Sequence, residues 1–220
     1  MNADDPPLRP EDPERTLALA YAPAAAKEAL AALWVLDERL GAIVARTENP
    51  AVGQMRLTWW HDALQSLHGS QPVDPVLVAL GRAQAIEPAA LLPLIDGWEA
   101  LLDPLPLPEE ALAAYAAGRG GTLFRAAAAL LGGSQEESEK AGQLWALTDL
   151  AFRISDRATA ERALALALAG RHAAPARLPK PLAVIAALAR RDLRRGLDRP
   201  RHQGSPGRVL RALAAGLTGR

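Results

Sequence analysis

The residue types best suited to chemistry gather in one short run, ENPAVGQMRLTWWHDAL, over residues 48–64. At helical spacing Arg56, Trp60 and Leu64 share one stripe, and Val52, Met55, Trp59 and Ala63 share the stripe beside it. A guanidinium next to paired indoles can hold an anion. It can also pack against an aromatic ring inside a core helix for cation–π gain. Residue identity leaves both readings open.

Other templates for chemistry fail. No Walker A run, strand-linked GxGxxG or GxSxG elbow is present. Cys is absent, which excludes disulfides, thiolate zinc sites, iron–sulfur clusters and thiol nucleophiles. Of the four histidines (His61, His68, His172 and His202), two stand seven apart with no acid triad beside them, so they read as surface residues. Gly118-Arg-Gly-Gly121 resembles a phosphate loop in composition only. Inside a helix such small residues more often let a neighbour approach closely.

The elements that must position these residues follow from composition. Half of the 220 residues are hydrophobic but only 4% are aromatic, so Ala and Leu dominate and an all-α bundle is expected. Residues 1–13, acidic and Pro-rich, read as a disordered tail, with a single helical domain over 14–220. Pro23 should separate a short helix from a longer one, and Glu48-Asn-Pro50 should open the helix that carries the paired tryptophans. Helices are further expected near 74–85, 88–103 and 108–131. Ser134 to Glu137 is a capping box for a long helix over about 135–169, and two basic helices follow near 180–196 and 206–218. About eight helices result.

Several of these segments resemble the squalene/phytoene synthase family. Arg56-Leu-Thr-Trp-Trp60 with Ala63-Leu64 is the most specific match. Ala31 to Leu40, Leu94 to Trp98, Ala111 to Tyr115, Gly118 to Gly133 and Leu144 to Leu150 continue the likeness. The resemblance implies a helical bundle of the isoprenoid synthase type. It implies a pocket formed by Trp34, Asp37, Glu38, Arg56, Trp59, Trp60, Tyr115, Gly118, Gly121 and Arg153. In an active member, Tyr115 would lie near the reacting centre. Asp37, Glu38, Asp149 and Asp156 would be the residual Mg²⁺ ligands, and farnesyl or geranylgeranyl diphosphate the substrates of head-to-head prenyl transfer.

Such enzymes use two D-x-x-x-D motifs, because carboxylates at i and i+4 share a helix face and converge on one hard cation. Here the positions four after Asp37 and Glu38 are Gly41 and Ala42. At the second motif the aligned residues read as Arg153 and Arg157, with Asp149 and Asp156 out of register. Only Glu99 and Asp103 form an acidic i,i+4 pair, outside both blocks. Unit charges 4 Å apart at an effective dielectric near 20 interact by roughly 4 kcal/mol, so an Arg in place of a carboxylate opposes Mg²⁺. The resemblance therefore points to the family's non-catalytic branch, the respiratory complex I assembly factors. That reading needs no cofactor, with Mg²⁺ required only by an active enzyme.

Net charge is zero, yet residues 171–220 hold twelve Arg or Lys against two acids. This asymmetry suits an anionic lipid or protein partner, or an internal match between two oppositely charged parts of the chain. No reader fold for nucleic acid accompanies it. With no signal peptide and no stretch of 18 uncharged apolar residues, a cytoplasmic protein is expected, peripheral to the inner membrane at most.

Overall fold

A computed structural model describes residues 7–170 and 177–219. Eleven α-helical segments are described and no strand. They are α1 (Pro13–Leu19), α2 (Ala24–Ala45), α3 (Pro50–Gln65), α4 (Pro75–Arg82), α5 (Leu92–Glu99), α6 (Glu109–Tyr115), α7 (Thr122–Leu131), α8 (Gln135–Ala151), α9 (Arg157–Gly170), α10 (Lys180–Arg195) and α11 (Pro206–Thr218). A π-helical turn, Ala116–Gly121, joins α6 to α7 in one continuous rod. That leaves ten rods where about eight were expected.

The additional breaks have local causes. The long helix expected over 135–169 stops at Ala151, and Asp156 starts α9 by accepting the N–H of Thr159 at 2.7 Å. The segment near 88–103 divides into 3₁₀ turns on either side of α5. The expected starts are seen elsewhere: Asn49 caps α3 ahead of Pro50, Asp74 caps α4 ahead of Pro75, and the Ser134 hydroxyl accepts the N–H of Glu137.

One hydrophobic cluster reaches from Ala18 to Ala212. Within it α2 buries Leu30, Leu33, Trp34, Leu36 and Leu40 and packs chiefly against α4 and α7. Phe124 of α7 stacks on Trp145 of α8 with ring centroids 5.3 Å apart. The π turn crosses both α5 and α8 so closely that glycine is required. A Cβ on Gly118 would strike the Pro93 carbonyl and Gly97, and Cβ atoms on Gly120 or Gly142 would strike the other's carbonyl oxygen.

Residues 7–13 correct the expectation of a disordered tail, while residues 1–6 lie outside the described residues. Pro10 is buried, its carbonyl accepts the Thr16 hydroxyl at 3.0 Å, and Asp12 caps α1. The Glu38 carboxylate accepts the backbone N–H groups of Glu11 and Asp12, fastening this segment across α2. Among the described residues no helix is long and apolar enough to cross a membrane.

Candidate functional site

The π turn delivers Arg119 into the middle of the bundle, where it is 2% exposed. A guanidinium there must find carboxylates, because an unpaired charge in that environment is prohibitively costly. It finds two. Arg119 Nε donates to Asp37 Oδ1 at 2.9 Å and Nη2 to Asp37 Oδ2 at 3.0 Å, while Nη1 donates to Asp149 Oδ2 at 3.0 Å. Its Cζ lies over the rings of both Trp98 and Trp145, 4.4 Å from each centroid. The cation is thus held by two carboxylates and by cation–π contact with two indoles.

Both carboxylates have further partners. Asp37, fully buried, also accepts Arg15 Nη2 at 2.5 Å and Trp98 Nε1 at 2.8 Å. Asp149 also accepts Arg153 Nε at 2.9 Å and Arg201 Nη1 at 2.8 Å. Burial pushes both carboxyl groups up, but the guanidinium of Arg119 and its neighbours outweigh burial and hold them below the ordinary carboxylate range. Burial also pushes the Tyr115 hydroxyl above its usual value, so it stays a phenol, accepting a hydrogen bond from Arg119 Nη1.

A second layer ties the C-terminal part to this centre. Arg208 of α11 grips Glu14 of α1 through two bonds of 2.7 and 2.8 Å and also reaches Asp192 of α10. Arg201 stands 3.6 Å from Glu14 and 3.4 Å from Asp192. Part of the charge asymmetry is therefore an internal match between chain segments.

Beside Arg119 opens a cavity of about 610 Å³. Val44, Leu101, Leu105, Leu150 and Ile154 contribute an apolar wall, and Arg15, Arg119 and Asp37 a charged end. Of the sequence-predicted pocket residues, Asp37, Glu38, Tyr115 and Arg153 line it. The others do not. Trp34 is buried in the core, and Trp60 packs at 5.8 Å under Arg39. Arg56 and Trp59 lie on the outer side of α3, because the side it buries is Gly53, Leu57, Trp60 and Leu64. Gly118 faces α5, and Gly121 faces Glu139 and Gln143.

Of the residues read as the second motif, only Asp149 and Arg153 meet at the site, as an i,i+4 pair. Arg157 starts α9 in an exposed pair with Glu161, and Asp156 is the half-buried cap of that helix. Arg119 itself was passed over. Its signal was present: it is the one charged residue between Glu110 and Arg125, set in an apolar helix.

As placed, these residues do not fit a magnesium ion. Trp98 ring atoms stand 2.8 Å from where a Cβ of Gly41 would be, leaving no room for a carboxylate four residues after Asp37. Four residues after Asp149 stands Arg153, itself bound to Asp149. Four acids, Asp12, Glu14, Asp149 and Asp192, do surround a separate hollow of about 10 Å³, shared with Arg15 and Arg201. That space suits one water-sized body, not a metal–diphosphate assembly. The deficit is therefore not a shortage of acids, as the sequence suggested, but an excess of arginines bound to them. Among the described residues no group of three or more Asp, Glu, His or Cys is arranged to hold a metal ion.

An all-helical bundle around a cavity with one charged end defines a protein of the isoprenoid synthase fold. The crystal structure of a dehydrosqualene synthase in complex with ligand superposes with a TM-score of 0.69, covering 94% of this chain and 92% of that one at 15% identity. The family profile for squalene/phytoene synthase matches residues 8–161, and the chain belongs to that family. A search of curated proteins gave no match.

Proposed function

We propose that this protein is a non-catalytic member of the squalene/phytoene synthase family that acts by binding, in the manner of an assembly factor for a respiratory complex. The observation that carries this reading is the position of Arg119, a permanent cation bound to carboxylates of both motif helices at 2.9 and 3.0 Å. Prenyl transfer by this family needs metal ions there to neutralise a departing diphosphate. A guanidinium can contact an anion, but it cannot accept oxygen ligands as a metal does.

The cavity supports a binding role. Its apolar wall suits an aliphatic or isoprenoid chain, and its arginine end suits a polar or anionic head without a metal. A lipid held there, or a protein partner engaged over it, is the interaction this reading requires.

The test is incubation of wild type and Asp37→Ala with farnesyl and geranylgeranyl diphosphate in the presence of Mg²⁺, following pyrophosphate release. Wild type should release none above the variant, while a long-chain isoprenoid quenches Trp98 fluorescence without metal. Pyrophosphate release that depends on Mg²⁺ and on Asp37 would instead establish an active head-to-head prenyltransferase.

A further inference from the structure

α11 turns one side inward and leaves a row of leucines outside. Arg208, Ala212, Ala215 and Gly216 are buried, while Leu210 and Leu217 are 68% and 72% exposed, with Leu213 between them. The spacing i, i+3, i+7 puts all three on one face, opposite the core. The helix packs on α10 and α1, so it lies at the edge of the bundle. Soluble proteins seldom leave such a row uncovered without a use for it.

Charge says what covers it. α11 carries no acidic residue. Arg211 flanks the leucine row on one side, near Arg190 and Arg194, which stand one turn apart on α10. Burial and these two neighbouring cations push the Arg190 guanidinium below its ordinary range. Asp192 and Glu14 are bound by Arg208 and Arg201, and Asp198 stands 3.6 Å from Arg157. The Nε atoms of Arg191 and Arg211 are buried without a hydrogen-bond partner.

We infer that the α10–α11 edge is a docking surface for a membrane leaflet rich in anionic lipid, with Leu210, Leu213 and Leu217 entering the acyl boundary and the arginines meeting headgroup phosphates. The pattern of an apolar face beside a basic one is that of an interfacial helix. The inference stands whether or not the cavity is catalytic, since no residue of this face belongs to it.

The experiment is co-sedimentation of the full chain with vesicles of phosphatidylcholine alone and with added phosphatidylglycerol. Binding should require the anionic lipid and weaken with salt. Leu210→Ser with Leu217→Ser, both solvent-exposed changes, should abolish it. Arg194→Gln with Arg211→Gln should weaken it about tenfold or more, near the effect expected for two charges at such a surface. Circular dichroism checks that each variant remains helical. Failure of wild type to bind, equal binding to both vesicles, or unchanged binding by the leucine variant would overturn the inference. A soluble dimer that the leucine variant splits would overturn it too, by assigning the row to a second copy of the chain.

Discussion

Asp37 of α2 and Asp149 of α8 share one guanidinium, with Arg119 2.9 Å from the first and 3.0 Å from the second. The residue four positions on is Gly41 in one case and Arg153 in the other. The charges of Asp37, Arg119 and Asp149 form an internal clamp between the helices.

Removing the cation should expose how much that clamp carries. Arg119→Met leaves Asp37 and Asp149 buried beside fewer counter-charges, a change that costs about 3–5 kcal/mol for a broken buried pair. Urea denaturation measures it. Arg119→Lys should restore little, because one ammonium cannot reach both carboxylates and also lie over Trp98 and Trp145.

A double-mutant cycle separates pairing from burial. Asp37→Leu strands Arg15 and Arg119 and should also cost about 3–5 kcal/mol. Combined with Arg119→Met the loss should fall well short of the sum, with coupling of about 1–3 kcal/mol. Strict additivity in the denaturation midpoints would mean that the two side chains do not stabilise each other.

The pH dependence follows from the direction of the shifts. Asp37 and Asp149 titrate below their unfolded value of about 3.9, so their stabilisation is fully present above that pH. It is lost as pH falls from about 4 toward the folded values. Asp192 runs the other way: burial holds its carboxyl above the ordinary range despite Arg208 and Arg201, so acidification relieves it. Thermal melts should show stability falling steeply below about pH 4, with these two aspartates adding no slope from about pH 5 to 8. In Asp149→Asn the acid slope should shrink.

Packing at the π turn gives a test independent of charge. Gly120→Ala or Gly142→Ala drives a methyl into the facing backbone carbonyl and should cost about 1–3 kcal/mol or more. For a chain of this size that lowers Tm by about 2–4 °C per kcal/mol. Gly69→Ala, with open space around it, is the control and should leave Tm nearly unchanged.

The helices were legible because their causes are local. Ala and Leu supply propensity, and Asn49-Pro50, Asp74-Pro75 and Ser134 to Glu137 mark starts that need no distant partner. Asp37, Glu38, Tyr115 and Arg153, singled out through a likeness of short motifs, line the cavity. The phase of α3 was not legible. Arg56, Trp59 and Trp60 have both apolar bodies and polar tips, so either stripe could face inward, and tertiary packing chose Trp60.

Sequence alone therefore determined the class of fold, the family likeness and the absence of an acid four residues after Asp37, Glu38 or Asp149, since each is written in neighbouring residues. Only the tertiary structure decided what replaced them. Arg15, Asp37, Arg119, Asp149, Arg201 and Arg208 come from widely separated segments, and one charge chooses another by distance through the folded interior, not by position along the chain.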